Sequence, residues 1–187
     1  MISHKGLKHL AVAAFASTAV MMTGTAIGAN QGSVGATSTG DLTITAAVPQ
    51  RAKISYLDDI DLTTALSSWD GVNPVSGSDD LCVWSNSGGY NVTAAGNGTS
   101  NAFELSDGTN AIPYSVQWND VSGSDAGAQA MTSGSALASQ TGASSGATCS
   151  SGASLTARVI VTLGNSDLET AASGTYAGVL TLTVAPE

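Results

Sequence analysis

The chain has 187 residues, 42% hydrophobic, only 10% charged and 5% aromatic, with 14 acids against five Lys or Arg for a net charge of −9. That balance excludes a surface built to neutralise a phosphate backbone or an anionic bilayer, so no nucleic acid is expected as a partner. Apolar residues come in short alternating runs between Gly, Asn, Asp and Ser clusters, the pattern of an all-β domain with many turns, and no long helical period is present.

Residues 1–29 read as an export signal. Lys5 and Lys8 precede an apolar run from Leu10 to Met22, too short for a comfortable membrane span, and Ala26-Ile-Gly-Ala29 offers small residues for cleavage. Cleavage near Ala29 leaves residues 30–187, enough for one domain with a core, in which Arg51, Lys53 and Arg158 face all 14 acids for a net charge of −11. His4 and His9 leave with the signal. Without histidine, a Ser/His/Asp triad cannot form and a zinc site has little to draw on, so no catalytic residue, metal or cofactor is expected. Cys82 and Cys149 in an exported chain most simply make one disulfide, with two free thiols or a metal pair as the alternatives.

The segment from Gly40 to Pro49 alternates, with Leu42, Ile44, Ala46 and Val48 on one face and Thr43, Thr45 and Ala47 on the other. A Gly/Ser/Thr-rich leader precedes it and Pro49 separates it from the body. Residues 51–66 carry Ile54, Tyr56, Ile60 and Leu62 and predict a first body strand bending at Asp58-Asp59. Residues 67–80, with Trp69, Asp70-Gly71, Asn73-Pro74 and Gly77, predict a loop. Residues 81–95 predict the strongest central strand region, holding Cys82, Trp84, Tyr90, Val92 and Ala94, with Ser85-Asn-Ser-Gly-Gly89 as a bulge or wide turn.

Phe103-Glu-Leu105 before Asp107-Gly108 predicts a short hairpin arm. Ile112, Tyr114, Val116 and Trp118 then share one face, with Pro113 placing the start of that strand at an edge. From Val121 to Ala153 the composition falls to Ser, Gly, Ala and Thr, which predicts a long excursion holding one short strand or helical turn. Leu155, Ala157, Val159, Val161 and Leu163 alternate as a clean strand, Gly164-Asn-Ser-Asp turns out of it, and Leu180, Leu182 and Val184 alternate as the last. The body holds about six strands, whereas an immunoglobulin-like sandwich needs about seven, so the number closes only with the segment before Pro49.

Two alternatives attach to particular residues. Asp58-Asp-Ile-Asp61 and Asp79-Asp80 lack the alternating ligands and central glycine of a calcium loop and read as solvated carboxylates. Trp84 and Trp118 sit in strand-period runs and read as core, while Trp69 in its polar loop is the candidate for stacking on a sugar, which would make the chain a self-contained β-sandwich that binds carbohydrate through residues 69–80.

The two ends of the chain resemble those of chaperone-usher pilus subunits, most closely the archaic and alpha branches that include spore coat protein U domains. Gly174 and Tyr176 with Leu180-Thr-Leu-Thr-Val184 resemble the terminal strand of that family, residues 39–49 its N-terminal extension, and residues 81–94 its cysteine-bearing second strand. Many relatives carry a further cysteine in the first body strand; none lies between Arg51 and Leu66, so Cys82 pairs with Cys149 or stays free.

The resemblance implies an all-β, immunoglobulin-like β-sandwich that is incomplete, lacking its last strand and completed by donor-strand complementation. It divides the chain into a signal peptide (1–29), a donor-strand extension (30–49) and an incomplete pilin domain (50–187). Leu42, Ile44, Ala46 and Val48 are then the donor side chains. Leu155, Val159, Val161, Leu163, Gly174, Tyr176, Leu180, Leu182 and Val184 form the acceptor groove and terminal strand. The implied partners are identical or related subunits, a periplasmic chaperone and an outer-membrane usher, and the implied destination is a surface fibre for adhesion or biofilm formation. Burying Leu42, Ile44 and Val48 is worth ~1.5 to 3 kcal/mol each and each added ladder hydrogen bond ~1 kcal/mol, together on the order of a domain's stability.

Overall fold

The computed structural model describes residues 28–149 and 155–187, so the run from Leu10 to Met22 and the Lys5 and Lys8 ahead of it lie outside the described residues. No helix among the described residues is long and apolar enough to cross a membrane. The chain falls into two compact units, Met1–Ala47 and Val48–Glu187.

In the first unit, residues 30 and 41 close a loop. Asn30 N donates to Asp41 O at 2.9 Å, Asp41 N returns a bond to Asn30 O at 3.0 Å, and Asn30 Nδ2 donates to Asp41 Oδ2 at 3.2 Å. Beyond it, residues 42–50 form no strand in this chain.

The second unit is a two-sheet antiparallel β-sandwich. Its strands are β1 (Ala52–Ser55), β2 (Val75–Ser85), β3 (Tyr90–Gly96), β4 (Glu104–Ser106), β5 (Ala111–Asn119), β6 (Gln129–Ala130), β7 (Ala136–Gln140), β8 (Ala157–Leu163) and β9 (Leu180–Pro186), with short helices α1 (Thr63–Ser67) and α2 (Asn165–Thr170). One sheet runs β1-β2-β8-β5-β4 with β6 added to β5; the other runs β7-β3-β9. The period-two runs behave as their pattern dictates. Ile112, Tyr114, Val116 and Trp118 of β5 are buried while Ala111, Pro113 and Ser115 are exposed, and Tyr90, Val92 and Ala94 of β3 are fully buried. Tyr90 and Trp118 meet edge to face across the core, ring centroids 6.3 Å apart.

Four expectations need correction. The central region 81–95 is not one interrupted strand but two strands in different sheets: β2 pairs with β1 and β8, β3 with β7 and β9. The turn between them, with Gly88 at φ +86°, carries the chain from one layer to the other. The expected first strand over 51–66 ends at Ser55, because Tyr56 adopts φ 61° and turns the chain out of the sheet; residues 63–67 then wind into α1. The expected loop over 67–80 shortens, since β2 begins at Val75 and pairs with Leu163 of β8. The turn expected after Leu163 is the start of α2, which buries Leu168.

The polar excursion holds more order than its composition predicts. β7 pairs with β3, Leu137 opposite Val92 and Gln140 opposite Tyr90, and Met131 is buried. Cys82 and Cys149 form a disulfide with Cα atoms 6.3 Å apart, closing a 67-residue separation. Cross-linking a loop of that length removes roughly 4 kcal/mol of chain entropy from the unfolded state.

Candidate functional site: an apolar groove beside the last strand

β9 bonds to β3 along one edge over its whole length, from Leu180 opposite Gly96 to Pro186 opposite Tyr90. No strand pairs with its other edge among the described residues. The consequence shows in burial: Tyr90, Val92 and Ala94 of β3 are sealed, whereas Leu180, Leu182 and Val184, which alternate in the same way on β9, are each left half-buried. A strand with an open ladder and half-covered apolar side chains can accept a further strand.

Beneath that edge runs a groove of about 780 Å³. Its floor comes from Val159, Val161 and Leu163 of β8 and from Ile112 and Tyr114 of β5; one wall is the approach to β9, residues 174–180 with Leu182. The opposite wall is the segment after β1, Leu57 through Thr63 with Leu66 of α1, and Leu105 of β4 closes one side. Gly77 positions that wall: a Cβ there would lie 2.7 Å from Ile60 Cγ2 and 2.6 Å from Leu62 Cδ2, so only glycine lets these side chains lie against β2.

Of the residues singled out from sequence, the groove lining brings together Val159, Val161, Leu163, Gly174, Tyr176, Leu180 and Leu182. Leu155 is 40% exposed and Val184 packs on the core; neither is in the lining. Leu57, Ile60, Leu62, Leu66 and Leu105 were missed as wall residues, although Asp59-Ile-Asp-Leu62 carries an apolar-polar alternation that could have marked a surface strip. Leu42, Ile44 and Val48 are exposed at 69%, 87% and 83%.

The groove's rim is acidic. Asp58, Asp59, Asp61 and Asp79 line it and no Lys or Arg does. Asp79 accepts the Asp58 backbone N–H at 3.0 Å, and burial pushes its carboxyl above the ordinary value, helped by the neighbouring Asp58 and Asp80 charges. Asp80 is not part of the groove lining: Arg158 grips it through Nε at 2.9 Å and a second nitrogen at 2.6 Å, and reaches Asp125 at 2.8 Å. Those hydrogen bonds hold the Asp80 carboxyl far below the usual carboxylate range.

No group of three or more His, Cys, Asp or Glu suited to hold a metal ion is present among the described residues. Trp69 packs against the core and its indole N–H donates to Asn73 O at 2.8 Å, so the ring is half-buried in its own loop.

No protein-family model matches the sequence, and no curated protein matches it. Similar solved structures exist. One of them is described as a chaperone-tip adhesin complex vital for synergistic activation of CFA/I fimbriae biogenesis, is 15% identical, and matches with a TM-score of 0.45 over 73% of this chain and 42% of that one. This chain therefore spans less than half the length of that neighbour, and at such distance the likeness says nothing about what this chain does.

Proposed function

We propose that the chain is a structural subunit of a bacterial surface pilus, polymerising by donor-strand exchange. Residues 42–48 of one copy enter the apolar groove of another, pair with the open edge of its β9 and place Leu42, Ile44, Ala46 and Val48 over Val159, Val161 and Leu163. The observation that supports this most is the coincidence, in one chain, of an unpaired inward-facing strand edge over an apolar groove and an exposed alternating apolar segment that forms no strand. A second copy is the occupant because the chain itself carries a segment of matching period and length.

On this reading residues 1–29 direct export through the periplasm, residues 30–49 are the donor extension and residues 50–187 the acceptor domain. An open groove exposes apolar surface and ladder groups that aggregate, so a periplasmic chaperone lends a temporary strand and an outer-membrane usher passes subunits into the fibre, which serves adhesion or biofilm formation. The role is structural, not catalytic. Size exclusion of the exported protein with and without residues 30–49 tests it: the full chain forms polymers and the truncated one does not. A full chain that runs as a monomer at every concentration overturns the proposal.

A further inference from the structure

Two of the three cations in residues 30–187, Arg51 and Lys53, stand directly behind the segment that the proposed assembly inserts into a neighbour. Both are exposed, Arg51 immediately before β1 and Lys53 within it. Their backbone is pinned: Arg51 N donates to Asn86 Oδ1 at 2.7 Å, Asn86 N donates to Arg51 O at 3.1 Å, and Lys53 lies in the β1 ladder opposite Trp84. The ion pairs found among the described residues both belong to Arg158, so Arg51 and Lys53 make no ion pair among those residues.

The groove presents the complementary surface. Its rim carries Asp58, Asp59, Asp61 and Asp79 with no cation, flanked by Leu57 and Val179, which are 52% and 59% exposed. Two copies carrying the same large negative charge repel, and bringing an uncompensated acidic rim against another acidic body would slow every encounter. Charges farther than a Debye length of about 8 Å at physiological salt are largely screened, so only those close to the mouth of the groove decide the matter. A chain leaving the groove at Val48 places Arg51 at most about 11 Å further on, a span its long side chain shortens.

From these placements, and resting on the donor-strand reading above, we infer that Arg51 and Lys53 of one copy dock on the acidic rim, Asp58 and Asp59 foremost, of the copy whose groove its segment fills. The apolar segment supplies the adhesion; the cations steer the approach and select a second copy of this chain over an acidic competitor.

The test uses the full exported chain and follows assembly by light scattering at low and high salt, with melting curves to confirm that each variant folds. Arg51→Glu with Lys53→Glu slows assembly roughly ten-fold at low salt, and the gap narrows as salt rises. Asp58→Lys with Asp59→Lys in the same chain as the two glutamates restores the rate; Asp167→Lys with Glu169→Lys, on α2 and outside the groove lining, does not. An unchanged rate and salt dependence in the glutamate variant, or equal rescue by the α2 lysines, overturns the inference. Ile44→Asp separates the two claims: if it abolishes assembly while the charge variants behave as wild type, only the rim contact fails, and if it leaves assembly intact the donor-strand reading fails as well.

Discussion

Ile44 is the most exposed of the large apolar side chains in the 42–48 segment, at 87%, with Val48 at 83% and Leu42 at 69%. On the donor-strand proposal, insertion into a neighbour removes nearly all of that exposure. Burying an isoleucine is worth ~1.5 to 3 kcal/mol, and a truncated side chain in a filled groove leaves a cavity that adds to the loss. Ile44→Ala therefore weakens subunit-subunit affinity by about 2 to 3 kcal/mol, roughly 30- to 150-fold. Thr43 falls on the opposite face of the same segment, so Thr43→Ala changes affinity by less than about 0.5 kcal/mol. The assay is guanidinium-driven dissociation of purified polymer, followed by size exclusion, beside a thermal melt of the unpolymerised subunit. Because Ile44 is solvent-exposed before assembly, the subunit's Tm stays where it was. An Ile44→Ala polymer as resistant as wild type, or a loss equal to that of Thr43→Ala, refutes the reasoning that this face of the segment carries the fibre.

Cys82→Ser with Cys149→Ser removes the bridge across a 67-residue separation and costs roughly 4 kcal/mol, read as a lower denaturant midpoint in the unpolymerised subunit; a midpoint within error of wild type would show that the loop entropy is not felt. Gly77→Val pushes into Ile60 Cγ2 and Leu62 Cδ2, which lie 2.7 and 2.6 Å from where its Cβ would stand, displacing the wall of the groove; it lowers stability by about 1 to 3 kcal/mol and slows assembly, whereas Gly89→Ala, whose Cβ meets only ordinary contacts at 3.7 and 3.8 Å, leaves assembly unchanged. Acid destabilises the fold. Asp70 and Asp107 are lowered to about 2 by backbone N–H groups of Asn73 and Asn110, and Asp80 lies lower still through Arg158. Each binds its proton less readily folded than unfolded, so their contribution is present above about pH 5 and is lost as pH falls through the ordinary value of 3.8 towards 2. Asp79, raised by burial, acts in the opposite sense but alone, so Tm measured at pH 7 and at pH 3 falls; equal values would refute this.

Much of the sandwich was legible because a strand writes its two faces locally. Tyr90, Val92 and Ala94, or Ile112 through Trp118, alternate in the chain and alternate in burial, and the Asn, Asp and Gly clusters between runs became turns. The Val121–Ala153 stretch was not, because β7 owes its ladder to β3 and buries only Gln140, in a context of small polar residues with no period of their own. Nor could Ile60 and Leu62 be placed: their partner is Gly77, and a missing side chain leaves no mark on hydropathy.

What the amino-acid order alone determined is therefore the class of fold, the single covalent bridge's two possible members, the surplus of acid and the two alternating ends. What the tertiary structure decided is which strands share a sheet, that the polar turn at Gly88 crosses between layers, and that the unpaired edge of β9 borders a groove lined by Val159, Val161 and Leu163. The division has one physical cause: side-chain alternation is set by neighbours two residues apart, whereas the covering of an apolar face depends on which distant segments pair, and no local period records that.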